Sequence, residues 1–138
     1  MVCEMHIDGT GEVQSYEFYR GLMRSHARCT YDDVWQFLDT NKNPNQWSKK
    51  VTESLTHQYH LYHILQQQKH ARGGIEFNST DVSIHIGEDG MVDDIRAYER
   101  NDAHKLIENF MIAANVCAAR FLEKHKMPAA YQIGRAHV

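Results

Sequence analysis

Residues 101–122, NDAHKLIENFMIAANVCAARFL, decide how the rest of the chain is read. Ala103, Leu106, Ile107, Phe110, Ala114, Cys117, Ala118, Phe121 and Leu122 recur at helical spacing and make one wide apolar stripe. Asn101 can accept from the first free N–H groups, and Pro128 stops the helix soon after about residue 126. Between positions 110 and 119 almost every residue is apolar, so both faces of this helix are expected to be covered. Glu108 and Asn115 stand out in that setting. They lie seven apart, hence on one side, with His104 four residues before Glu108. A buried carboxylate is costly unless it is paired or hydrogen-bonded. Two readings follow: a structural buried polar pair, or a carboxylate held to accept from a ligand hydroxyl or an arginine.

Upstream of this helix the pattern alternates between strands and helices. Met1, Cys3, Met5 and Ile7 share one face of a half-buried strand, and Asp8-Gly9-Thr10-Gly11 supplies hairpin-turn chemistry. The return strand is expected to run from residue 12 into the high twenties. Its even positions would then put Tyr16, Phe18, Arg20, Arg24, His26 and Arg28 on one surface. Such a surface is either a solvated basic face or one that tracks a phosphate backbone while its aromatics stack on bases. Thr30 with Asp33 has capping-box spacing and opens a short helix over 31–38. A longer helix carries Val51, Leu55, Tyr59, Tyr62 and Leu65 and ends at Gly73-Gly74. Strands are expected at 75–77, 82–86 and 91–98, with a turn at 88–90. The class is α+β, with mainly antiparallel strands packed with helices.

The bulk numbers exclude several classes. The 138 residues suit a single domain or a piece of a larger one, and 42% apolar with 24% charged residues is ordinary for a soluble globular protein. No apolar run reaches the roughly 18 residues a membrane span needs, so no membrane partner is expected. The N-terminus lacks the basic-then-apolar order of a secretory signal. Cys3, Cys29 and Cys117 are isolated, which points away from a zinc site or disulfide scaffold and toward a reducing compartment. A net charge of −3 does not advertise a nucleic-acid binder. His57, His60 and His63 recur on one helix but have no supporting cysteine, so a solvated face is favoured over a metal site. Asp8 to Gly11, and Asp89 with Asp93 and Asp94, are read as turn chemistry.

Four motifs in order carry a more specific signal. They are Met1-Val2-Cys3-Glu4-Met5, Ser25-His26-Ala27-Arg28-Cys29-Thr30-Tyr31, Arg72-Gly73-Gly74-Ile75-Glu76-Phe77, and Arg100-Asn101-Asp102-Ala103-His104-Lys105-Leu106-Ile107-Glu108 with its continuations Met111-Ile112-Ala113-Ala114-Asn115 and Ala118-Ala119-Arg120-Phe121. This sequence resembles the RNB catalytic domain of the ribonuclease II/ribonuclease R family, with wording that favours the ribonuclease R side. The resemblance runs from Met1 to about Tyr131.

That resemblance implies a processive, hydrolytic 3′→5′ exoribonuclease. Such an enzyme would be cytoplasmic and monomeric, degrading single-stranded or structured RNA to nucleoside 5′-monophosphates. In the family an aspartate cluster holds Mg²⁺, which activates water. The aspartate cluster belongs upstream of the part matching Met1, and an arginine motif and RNA-binding OB-fold domains lie outside the matching part as well. Residues 1–132 are therefore expected to be an internal part of an RNB domain that holds no catalytic residue or metal ligand and is catalytically inactive alone. Residues 133–138, Ile133 to Val138, depart from the family and look like the in-frame translation of a sequencing adapter, so they are set apart as a non-native tail.

Three roles carry over where motifs match. Tyr31 corresponds to the tyrosine that contacts the terminal nucleotides, Phe77 to the aromatic that stacks on bases, and Glu108 to the glutamate that recognises the sugar 2′-hydroxyl. Arg20, Arg24, His26 and Arg28 are added as channel-lining phosphate contacts. The competing readings are a catalytically inactive RNB-like module that still grips RNA, and a His-rich, metal-responsive domain.

Overall fold

The computed structural model describes residues 1–43, 45–74, 81–87, 90–98 and 100–129. In chain order the elements are β1 (Val2–Ile7), β2 (Val13–Tyr19), α1 (Tyr31–Thr40), α2 (Lys49–Ala71), β3 (Asp81–Ile86), β4 (Val92–Tyr98) and α3 (Asp102–Lys124). The class is α+β: three helices packed on one another, with two separate antiparallel hairpins, β1–β2 and β3–β4. The expected strand at 75–77, including Phe77, and the tail at 133–138 lie outside the described residues. Among the described residues no helix is long and apolar enough to cross a membrane.

The helices form where caps and periodicity agree. Thr30 caps α1: its Oγ1 accepts from the Asp33 N–H at 3.2 Å, and the helix closes on Asn41 in the left-handed region. The Thr30 hydroxyl and the Asn45 amide both hydrogen-bond Asp33 and hold its carboxyl below the usual carboxylate value. Helix α2 stops before Gly73, whose φ of 75° is easy only for glycine. Asn101 caps α3 by accepting from Ala103 N and His104 N.

One core gathers Val34 and Phe37 of α1, Trp47, Leu55 of α2 and Ala103 of α3. Trp47 is locked from both sides: its N–H donates to Asn43 Oδ1 at 2.8 Å, and its carbonyl accepts from Asn43 Nδ2 at 2.9 Å. Burying each large apolar side chain here contributes about 1.5–3 kcal/mol. Further along α3, Leu106 and Cys117 are buried, Cys117 completely.

The first hairpin is braced on this helical layer. Its inward cross-strand pairs are Cys3 with Phe18, Met5 with Tyr16 and Ile7 with Val13. The Phe18 ring meets Phe121 of α3 edge-on at 5.4 Å, and Tyr16 packs against Phe18 at 5.9 Å. The Cys117 thiol, pushed up by burial, is a hydrogen-bond neighbour of Cys3. At the turn, Asp8 accepts from Thr10 N and Oγ1, Glu12 N and Gln14 Nε2. Those bonds, led by the Thr10 hydroxyl, bring its carboxyl down to about 2. Gly11 is buried with φ +87°, and a Cβ there would stand 3.2–3.3 Å from Gln68 and Ile64 of α2. At this turn position both backbone angle and space favour glycine.

Three expectations are corrected. Strand β2 ends at Tyr19 rather than in the high twenties, and residues 20–30 hold no regular element. The last pair of the ladder is Val2 with Tyr19. Helix α3 is not covered on both faces: Met111, Ile112 and Val116 are exposed, and Asn115 with them. Glu108 is half-buried, and the buried polar residue of α3 is Asn109 instead. Its Nδ2 donates to Gln66 Oε1 of α2 at 2.9 Å. Position 109 lies on the Ala103–Leu106–Cys117 side of the helix, whereas Glu108 is rotated about 100° away from it.

Candidate functional site

The site grows from the N-terminal turns of α3. Asn101 fixes the helix start, which fixes where His104 and Glu108, one turn apart, emerge from the same side. Tyr31, the first residue of α1, is brought to this place by the packing of α1 on α3. Its ring stacks on the imidazole of His104, centroids 4.0 Å apart and planes 25° from parallel. Tyr31 stays 44% exposed, so the stack covers only part of the ring.

Glu108 is engaged from the other direction. The guanidinium Nη2 of Arg100, just ahead of the helix, donates to its Oε2. Both side chains keep more than a third of their surface in solvent, so the pair adds at most about 1 kcal/mol to stability. Its main effect is orientation. A carboxylate has about four lone-pair sites, and one guanidinium contact leaves capacity to accept from a hydroxyl.

Electrostatics at this place are mixed. Burial holds the His104 ring below its ordinary pKa, Asp32 opposes that, and Arg100 adds to it. The balance favours the uncharged form of the ring. Beside Tyr31 opens a largely apolar cleft of about 630 Å³, lined by His26, Ala27 and Cys29, by Val51 and Leu55 of α2, and by Leu106 and Ile107 of α3. Burial pushes the Cys29 thiol up, away from the reactive thiolate.

The structure thus stacks Tyr31 on His104, one helical turn before Glu108, and places His26 on the adjoining cleft. It does not gather the basic residues into one face. Arg20, Arg24, His26 and Arg28 are all exposed, but they follow an irregular segment, not the single strand face expected. Tyr16 and Phe18, expected on that same surface, turn inward because burial against Phe121 outweighs any gain from exposure. Phe77 lies outside the described residues. His57, His60 and His63 are exposed along α2. Sequence reasoning missed Arg100 as the partner of Glu108, and it noted His104 only for its spacing. The signal for Arg100 was a cation just before a helix whose outward side carries a carboxylate two turns in.

Comparison with known proteins supplies the class. The RNB domain model matches residues 1–137. The chain belongs to the RNB domain family, as its motif order implied. It is 40% identical to ribonuclease R of Escherichia coli (strain K12) over 133 residues, which covers 96% of this chain and 16% of that protein. Ribonuclease R of Vibrio parahaemolyticus is 36% identical over the same share. Among solved structures, Mycoplasma genitalium RNase R in complex with ribose-methylated single-stranded RNA matches with a TM-score of 0.84. Identity there is 27%, covering 90% of this chain and 19% of that one. The same protein in complex with double-stranded RNA also matches, at a TM-score of 0.84. The chain spans roughly one sixth to one fifth of the length of these relatives.

Proposed function

We propose that this chain forms the RNA-recognition wall of a ribonuclease R-like exoribonuclease, one that hydrolyses RNA processively from its 3′ end to nucleoside 5′-monophosphates. Tyr31 stacks on a terminal base, and Glu108 accepts a hydrogen bond from the ribose 2′-hydroxyl. Phe77 provides a second stacking surface, while Arg20, Arg24, His26 and Arg28 meet backbone phosphates. The observation that carries this reading is the stacking of Tyr31, distant in sequence, on His104 of α3, one helical turn before Glu108.

The chemistry suits the task. Base-on-aromatic stacking contributes about 1–3 kcal/mol per base and tolerates any sequence. A carboxylate facing a 2′-hydroxyl separates RNA from DNA, because a deoxy sugar leaves its acceptor unmatched. Arg100 keeps Glu108 aimed without making it a rigid buried pair. Mg²⁺ belongs to the proposal as the cofactor for hydrolysis. Among the described residues no group of three or more His, Cys, Asp and Glu is placed to hold a metal ion, so these residues do not fit that site. What this chain's own residues supply is binding and sugar selection. That relatives have been solved with single-stranded and double-stranded RNA supports RNA as the ligand.

The test is fluorescence anisotropy with two labelled oligonucleotides that differ only in the 3′-terminal sugar, ribose or 2′-deoxyribose. The 138-residue chain is expected to prefer the ribose end. Glu108→Gln should shrink that preference several-fold, and Tyr31→Ala should weaken both ligands by about 1–3 kcal/mol. Equal affinity for the two ends in the unaltered chain would refute the assignment of Glu108.

A further inference from the structure

His104 does more than fill space. Its ring lies against Tyr31 at 4.0 Å and nearly parallel, and its Nδ1 stands 2.8 Å from Asn101 Oδ1. That same oxygen accepts from the Ala103 N–H at 3.1 Å and the His104 N–H at 3.4 Å. One atom therefore caps α3 and fixes the tilt of the imidazole. With the ring neutral, Nδ1–H donates to Asn101, which settles the tautomer. Tyr31 is the first residue of α1, so no preceding helical turn packs against its side chain, and nearly half of it is exposed.

We infer that His104 is a positioning residue: a lower ring, locked by Asn101, that holds the Tyr31 ring at a fixed height and angle for a base to stack on its outer face. This rests on the reading that Tyr31 contacts nucleotides. Without the lower ring, Tyr31 would sample other rotamers, and a base would have to order it on binding. Ordering one such side chain weakens binding about three- to tenfold.

The test uses the 138-residue chain and a 5′-labelled single-stranded oligoadenylate. His104→Ala is expected to weaken binding three- to tenfold, and His104→Phe, which restores a flat ring, to recover most of it. In a Tyr31→Ala background His104→Ala should add nothing, since it acts through Tyr31. In the free chain, the NMR shifts of the Tyr31 ring protons should move on His104→Gln and stay near their original values on His104→Phe. His104→Gln keeps the helix and removes only the ring, so this readout survives if the alanine variant fails to fold. Additive losses in the double variant, or unmoved Tyr31 shifts in His104→Gln, would overturn the inference. If Tyr31→Ala leaves affinity unchanged while the shifts behave as expected, the nucleotide reading of Tyr31 fails and the ring-on-ring support stands.

Discussion

Hairpins β1–β2 and β3–β4 are each antiparallel, each slips register at the last step of its first strand, and each closes near a glycine of positive φ, Gly11 or Gly90. Their alternating apolar residues predict the same amphipathic ribbon. Yet the apolar positions of the first are half-buried against α2 and α3, whereas Val82, Ile84, Ile86, Val92 and Ile95 of the second are all 57–69% exposed. Ile84 pairs with Ile95 and Ile86 with Val92, so these side chains form one continuous apolar face. Strand pairing and turn chemistry are local and build a hairpin anywhere. Burial needs a facing surface, and only the first hairpin has Phe121, Ile64 and Gln68 beneath it.

The contrast can be broken at its contact point. Phe121→Ala removes the ring under Phe18 and should cost about 2–4 kcal/mol, somewhat below a fully buried phenylalanine because the site is half-exposed. Amide hydrogen exchange should quicken across β1–β2 and stay unchanged in β3–β4. Uniform quickening in both would show that the first hairpin is not separately braced.

A gentler probe is acid. The folded pKa of Asp8, about 2, lies below its ordinary 3.8, so the unfolded chain binds that proton more readily. Its stabilising share is complete above about pH 4 and fades as pH falls toward 2. Exchange at the β1–β2 turn should accelerate over that window, and Asp8→Asn should flatten the profile. An unchanged profile in the variant would assign the acid response to other carboxylates.

The smallest expected effect is in the second hairpin. Ile84→Thr should change stability by less than about 0.5 kcal/mol, since the side chain is already in water, while lowering self-association measured by light scattering. A loss above 2 kcal/mol would mean that this face is covered in solution.

The same contrast explains what the sequence could convey. Periodicity identified α2, α3 and both hairpins because it reports which residues can share a face. It does not report whether anything lies opposite, so Met111, Ile112 and Val116 looked buried and are exposed. Strand β2 was extended too far because alternation persists in the letters beyond Tyr19, where the ladder ends. Asn109 was passed over for Glu108 and Asn115, since a single-residue rotation on a nearly all-apolar helix is hard to assign without its neighbour Gln66. Tyr31 was singled out only through family resemblance, whereas Glu108 also stood out as a carboxylate on an apolar helix. The stack of Tyr31 on His104 depends on how α1 meets α3, and the Arg100 contact to Glu108 on how the chain enters α3.

Because His104 and Glu108 share one uninterrupted helix, α3 acts as a ruler. Four residues span about 6 Å along the axis, so the step from ring platform to carboxylate is set by helical pitch and not by any loop. A single residue inserted between them would swing the carboxylate about 100° around the axis, off the side that carries His104. The gauge tolerates changes of side chain on the outer surface, but not of count.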